Sequence, residues 1–322
     1  MAKNAYRARN WRQYNEALVQ RGSVTFWFSE EIIKDWHVND SKKSRGRPRK
    51  YSDLAIQCGL TLKALFKLTF RAVEGFIKSL LERLKIEVKA PDYSLLCKRQ
   101  HSLQIHSPKR KSKEALHILV DGTGLKIFGE GEWKVRQHGY TKRRTWRKLH
   151  LAINANTQEI EAFQLTESTV PDGDALPSLI EQINEQINTA TGDGAYDQYK
   201  SYKLARKKQF TLITPPKRDA KLTGECTGYS TRQKHTSETL NALQQRDNYI
   251  KRIRAIGRAE WKNEVSYHRR SLVETAMFRL KTLLGATLSA RTLENQRVEV
   301  AIWCSIINQM TSLEMPHSIR VN

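Results

Sequence analysis

The segment Tyr267–Leu284 reads YHRRSLVETAMFRLKTLL. Advancing about 100° per residue, Leu272, Val273, Ala276, Met277, Leu280, Leu283 and Leu284 share one broad apolar face. On the same wheel Tyr267, Arg270, Glu274 and Lys281 occupy a narrow arc outside it. One carboxylate thus sits among two cations and a phenol, on a helix whose back enters a core. Arg and Lys neutralise phosphodiester oxygens, and Glu offers a hard oxygen ligand. A plain surface helix with an Arg270–Glu274 ion pair satisfies the same periodicity.

Charge points outward from this helix to a polyanion. The chain has 322 residues, with 56 Lys+Arg against 33 Asp+Glu, a formal charge of +23 and a pI near 9.9. Nucleic acid is the first candidate partner. An acidic membrane surface calls for an amphipathic or lipidated anchor, and the sequence has none. No apolar run approaches the roughly 18 residues of a membrane span, and MAKNAYRARNWRQ at the start lacks the apolar core of a secretory signal. Cys58, Cys97, Cys226 and Cys304 are far apart and form no CxxC, so they read as reduced thiols of a cytoplasmic protein.

Upstream, residues 1–50 form a polar segment with short helices expected near Asn10–Gln20 and Ser29–Trp36. It ends in SKKSRGRPRKY, where Arg45, Arg47 and Arg49 alternate with Gly and Pro. Such an AT-hook-like run fits a narrow minor groove, and equally a solvated basic linker. Residues 51–111 carry helical periodicity in three blocks. A first helix or pair holds Leu54–Leu68, a second starts near Thr69, and a third is capped by Asp92 and carries Lys98 and Arg99. Helix, break, basic helix is the outline of a helix-turn-helix with the last helix as groove reader; the alternative is a helical bundle with a basic surface.

After the basic linker HSPKRKSKEA the texture changes, and residues 112–314 read as a mixed α/β catalytic domain. His117–Val120 predicts a buried strand ending at Asp121 in DGTGLK. Strands are expected over Glu132–His138, Arg147–Ile153 and Glu159–Leu165, then a helix over Val170–Ile187 opened by PDGD. TATGDGAY predicts a short strand ending at Asp193, whose flanking glycines allow close backbone approach. A helix over Gln198–Lys207, a strand over Phe210–Thr214, a helix over Ser237–Ile256 and a last helix over Asn295–Met310 complete the series. This is the element order of an RNase H-like fold. Asp172 and Asp174 read as helix N-terminal residues favoured by the macrodipole. The run Lys142–Lys148, with Arg143, Arg144 and Arg147 around Trp146, suits a phosphate backbone and an unpaired base, or a basic surface hairpin with Trp146 in the core.

The spacing Y-x2-R-x3-E-x6-K at Tyr267, Arg270, Glu274 and Lys281, with DGTGLK and GDGAYD upstream, resembles the YREK signature of bacterial insertion-sequence DDE transposases of the four/five superfamily. The resemblance covers most of residues 50–312. It implies Asp121, Asp193 and Glu274 as catalytic and metal-binding carboxylates on an RNase H-like domain, with Tyr267, Arg270 and Lys281 holding DNA phosphates. It implies two Mg²⁺ ions, for which Mn²⁺ substitutes, terminal-inverted-repeat and target DNA as partners, and a homodimer in the synaptic complex. It places the protein in the bacterial cytoplasm with the nucleoid. Hydroxyl attack on a phosphodiester anion is helped by two hard cations about 4 Å apart, which explains the choice of Asp and Glu. The alternatives are a DNA-binding regulator that cleaves nothing, and an RNase H-like nuclease that cuts without joining.

Overall fold

The run Leu116–Val120, apolar except for His117, calls for a strand buried on both sides. The computed structural model describes residues 5–38, 48–105, 107, 114–127, 146–225 and 237–321. In chain order the elements are β1 (Ala5–Ala8), α1 (Trp11–Gln20), α2 (Val24–Trp27), α3 (Glu30–Lys34), α4 (Asp53–Leu65), α5 (Phe70–Arg83), α6 (Tyr93–Gln100), β2 (Leu116–Ile127), β3 (Trp146–Asn154), β4 (Ile160–Glu167), α7 (Asp172–Glu181), β5 (Ile187–Thr191), α8 (Tyr199–Lys208), β6 (Thr211–Ile213), α9 (Ser237–Ile256), α10 (Arg258–Glu264), α11 (Ser271–Leu284), β7 (Thr287–Leu288), α12 (Leu293–Leu313) and β8 (Ser318–Val321). The chain divides into two units, residues 1–110 with 280–322, and residues 111–279.

The second unit is a mixed sheet in the order β4-β3-β2-β5-β6. β2 pairs antiparallel with β3 and parallel with β5, and β5 pairs parallel with β6. This is the RNase H-like arrangement, an α/β fold with β2 at the sheet centre. Ile118 and Val120 of β2, Ala152 of β3 and Ala190 of β5 pack with Leu176, Leu179 and Ile180 of α7 and with Tyr202 and Ala205 of α8. The opposite face of β2 and β3 presents Leu119, Leu125, Leu149, Leu151 and Ile153, each nearly inaccessible to solvent. Asp121 lies on that second face, because side chains alternate along a strand.

The sheet departs from the sequence expectation where the site is built. β2 does not stop at Asp121 but runs on to Ile127, with Gly122–Lys126 paired to Trp146–His150. Only its parallel partner stops: pairing with β5 ends at Leu119↔Thr191. Two residues beyond that last pair on each strand stand Asp121 and Asp193. The strand expected to end at Asp193 stops at Thr191, and Gly194–Tyr196 form a 3-10 turn capped by Asp193. α7 is shorter than expected, ending at Glu181, with Pro177 inside it. The expected strand Glu132–His138, with Trp133 and His138, lies outside the described residues, as does Cys226.

The first unit is mainly helical. α4, α5 and α6 pack pairwise. Ser52, Thr69 and Asp92 cap them by accepting the amide hydrogens of Ala55, Ala72 and Ser94. α12 is buried over more than two turns, Val300–Asn308, and packs on α4, where Gln57 donates to Ser305 at 3.5 Å. β1 and β8 pair antiparallel. By its contacts α12, expected within the catalytic domain of residues 112–314, groups with the N-terminal helices. The break between α5 and α6 spans residues 84–92, longer than a helix-turn-helix turn, whereas the turn between α4 and α5 spans residues 66–69.

Candidate active site

Asp121 is placed by the strand pattern and held by its own backbone neighbourhood. Its Oδ1 accepts the Gly122 amide hydrogen at 2.8 Å, and its Oδ2 accepts from Arg270 Nη1 at 2.7 Å. The other Arg270 nitrogen, Nη2, donates to Glu274 Oε1. One guanidinium therefore bridges two of the three acidic residues singled out above. Asp121 has a side chain 17% exposed, against 54% for Glu274, so the pair spans the site from floor to rim. Burial pushes the Asp121 carboxyl above its usual range, and the nearby Asp193 charge adds to this. The Gly122 N–H and Arg270 work against that rise.

Asp193 is fixed by local turn chemistry. Its Oδ1 accepts the Ala195 amide hydrogen at 2.9 Å, and its carbonyl accepts from Thr214 Oγ1 at 2.5 Å. Gly192 is required here for packing, since a Cβ would lie 2.5 Å from the Tyr196 ring. A Cβ on Gly194 meets nothing nearer than 3.5 Å. Tyr196 is fully buried, and the charges of Asp172, Asp121 and Asp193 all act on its hydroxyl.

The helix that carries Glu274 begins later than its periodicity suggests. Tyr267–Arg270 form a 3-10 turn entered through Ser266 at φ 52°, and the α-helix starts at Ser271. The tighter turn brings the Arg270 side chain onto both Asp121 and Glu274. Tyr267 stacks at 6.4 Å from Trp261 with Lys262 over its ring at 5.2 Å. Burial raises the Tyr267 phenol, opposed by Arg270 and reinforced by all three acidic residues. Lys281 lies two turns past Glu274, on the part of α11 that groups with the first unit, and burial lowers its pKa.

The other singled-out residues have surroundings of their own. Lys98 is exposed on α6. Arg99 is not available to DNA, which corrects the sequence expectation. It is buried, donating to the Tyr51 carbonyl at 3.1 Å and to Asp53, because helical spacing turns it to the inner face beside Leu96. Arg49 lies 4.0 Å from the same Asp53. Arg147 stands on β3 opposite Leu125. Trp146 is half-buried and lies over Gly124, with Lys126 at 5.8 Å from its ring. Arg45, Arg47, Arg143 and Arg144 lie outside the described residues. Asp197, four residues past Asp193, is committed to Arg246 at 2.9 Å and the Tyr202 hydroxyl at 3.0 Å.

Sequence reasoning missed one cluster. Asp172, read as a helix-end residue, reaches back to the sheet beside Gly122, receiving Lys148 at 2.7 Å and lying 3.1 Å from Nδ1 of the fully buried His150. The available signal was His150 in an apolar strand, a polar group that burial obliges to find a partner.

Three carboxylates suit a hard divalent cation in chemistry, and two of them already share a cation in the Arg270 guanidinium. As the side chains stand, no three His, Cys, Asp or Glu donors among the described residues are grouped closely enough to hold one ion. No helix among the described residues is long and apolar enough to cross a membrane.

A family model described as a transposase DDE domain matches residues 112–309, and a second model of the same description matches residues 19–130. Among solved structures the chain is similar to a piggyBac transposase in a synaptic complex with hairpin DNA, at 11% identity, 96% coverage of this chain, 76% of that chain and a TM-score of 0.39. That likeness is too loose to bear on the site. The first match spans more than half of the 322 residues and contains Asp121, Asp193 and Glu274. The chain belongs to the DDE-domain transposase family, enzymes that act on DNA by transposition chemistry and generally use divalent metal ions.

Proposed function

We propose that this transposase binds the terminal inverted repeats of an insertion sequence, hydrolyses the bonds at their 3′ ends and joins the freed hydroxyls to target DNA. The observation that carries this reading is the meeting of Asp121 and Glu274 on one guanidinium, with Asp193 at the end of the neighbouring parallel strand. Asp121, Asp193 and Glu274 would hold Mg²⁺, or Mn²⁺ in its place. Bound ions of this kind supply Lewis acidity toward the attacking and leaving oxygens.

The protein groups do the positioning. Asp121 is nearly closed to water and fixed by the Gly122 amide, which keeps its carboxylate in one orientation. Asp193 is held by Ala195 and Thr214, so its carboxylate needs little reordering. Arg270 and Lys281 neutralise phosphate oxygens, and Tyr267 orients beside them. Lys98 and the groove of about 460 Å³ lined by Thr69, Phe70, Arg71, Tyr93 and Lys98 take the duplex backbone. Arg49 and Arg147 add phosphate contacts. Two element ends must be joined together, so a homodimer on DNA, in the bacterial cytoplasm beside the nucleoid, completes the proposal.

The test is incubation of labelled repeat DNA with Mg²⁺, comparing the native chain with Asp121→Asn, Asp193→Asn and Glu274→Gln. Native chain should give joined products, and each variant should lose at least ~10³-fold, the scale of one transition-state electrostatic group. Cutting without joining would reassign the chain as a nuclease. Full activity in any of the three variants would remove that carboxylate from the site.

A further inference from the structure

Arg270 spans the carboxylates that the proposed function assigns to metal. Asp121 Oδ1 is taken by the Gly122 amide, and its Oδ2 by Arg270. Glu274 Oε1 is taken by the other arm of the same guanidinium. Both bonds are charge-assisted; the Arg270–Asp121 arm is shielded, at 21% and 17% exposed, and the Arg270–Glu274 arm is the outer one, with Glu274 54% exposed. Burial works against the Arg270 charge, while Asp121, Tyr267 and Glu274 favour it, so its pKa is raised and the arginine is cationic throughout.

The contact has a consequence for ion loading. A divalent ion bridging Asp121 and Glu274 would compete with Arg270 for Asp121 Oδ2 and Glu274 Oε1. Guanidinium and dication in that same place would also repel each other. For the ion to enter, Arg270 must turn away, and turning away unpaired from a half-buried site is costly. A phosphodiester arriving at the mouth offers the guanidinium a new anion in the fork geometry it prefers.

We infer that Arg270 is a latch that couples the two ligands: without DNA it holds Asp121 and Glu274 as a surrogate cation, and DNA phosphate draws it off and so admits the metal ion. Coupling of this kind is reciprocal, so metal must strengthen DNA binding by the factor with which DNA strengthens metal binding. The inference rests on the metal-binding role proposed for Asp121 and Glu274.

The test titrates Mn²⁺ into the full chain, by electron paramagnetic resonance and calorimetry, with and without a short mixed-sequence DNA duplex. In the native chain the duplex should tighten Mn²⁺ binding on the order of tenfold, within the usual range of coupling between sites. Arg270→Gln should bind Mn²⁺ tightly without DNA and gain nothing from it. Removing a positive charge would produce part of that effect by itself, so Arg270→Lys is the deciding variant. Lysine keeps the charge but cannot reach both carboxylates as a fork. A latch predicts that Arg270→Lys binds Mn²⁺ more tightly than the native chain without DNA. Equal affinity in native chain and Arg270→Lys, with no effect of duplex on either, overturns the latch. Asp121→Asn separates the two levels. If it binds Mn²⁺ as the native chain does, the metal site lies elsewhere, and both the proposed site and the latch fall. Thermal melts of each variant confirm that the comparison is between folded chains.

Discussion

At the scale of single residues, the tightest constraint is on a hydrogen atom. A Cβ on Gly122 would overlap Asp172 Oδ1 and lie 3.1 Å from Lys148 Cε. Gly122→Ala should therefore cost ~1–3 kcal/mol of unfolding free energy, as overpacking usually does, read from the urea midpoint. Adding Asp172→Ala removes the overlapped group, so the double variant should be less destabilised than the two single losses summed. Asp172 also gives a pH dependence. Burial pushes its carboxyl up, but hydrogen bonds from His150 and Lys148 outweigh this and hold it below the ordinary value. A lowered carboxylate stabilises the fold when ionised. Its contribution is complete above the unfolded value near ~3.9 and disappears as pH falls through the lower folded value. The stability gap between native chain and Asp172→Asn should thus close on acidification below about pH 4. A gap that stayed constant through that range would mean that the cluster acts by shape, not by charge. The residue scale also marks the limit of the sequence. Asp121, Asp193 and Glu274 were picked out by motif spacing. The Asp172–Lys148–His150 cluster was not, because its members come from separate elements with no shared spacing.

At the scale of elements, the two helix ends read differently. N-caps were legible because a cap is a local bond between neighbours: Asp92 was expected and accepts the Ser94 amide at 2.7 Å. The bounds of the 20-residue helix α9 were legible too. The length of β2 was not, since what carries the strand past Asp121 is pairing with β3, a contact between distant residues. The start of α11 was not either, because a 3-10 turn and an α-helix present nearly the same apolar period over four residues. Helical spacing misassigned Arg99 for a related reason: a basic residue on a basic helix looks like a DNA contact until Asp53 is placed beneath it. The two neighbours now make opposite predictions. Arg99→Ala should lower stability by ~2 kcal/mol, less than a fully buried pair because Asp53 is partly exposed, with DNA affinity per folded molecule unchanged. Lys98→Ala should leave the melting temperature within about a degree or two, as surface changes do, and weaken DNA binding several-fold. Melting curves and fluorescence-anisotropy titrations on the same preparations check both. A stable Arg99→Ala chain that had lost DNA affinity would return Arg99 to the interface.

For the whole molecule, charge is the property that composition alone decides. A surplus of +23 acts on DNA at any sequence through release of condensed counterions, so binding should fall steeply with salt. The carboxylates proposed for the active site lie inside that positive field, where they would repel an approaching phosphate. Arg270 screens two of them in the absence of DNA, which lets a basic chain keep an acidic centre without losing its polyanion. The measurement is affinity for a mixed-sequence duplex against KCl concentration, in the absence of divalent ions. With six to ten phosphates contacted, affinity should drop by ~10³–10⁵ between about 50 and 200 mM salt. Lys98→Ala should make the slope of log K against log salt shallower by about 0.9, the loss of one phosphate contact. Arg270→Gln removes a phosphate partner but also unmasks Asp121 and Glu274, so it should weaken binding at every salt concentration by more than one lost contact accounts for. If Arg270→Gln instead bound the duplex as well as the native chain at low salt, where surface electrostatics are least screened, the carboxylates would not be felt by the DNA, and the acidic centre would have to lie away from its path.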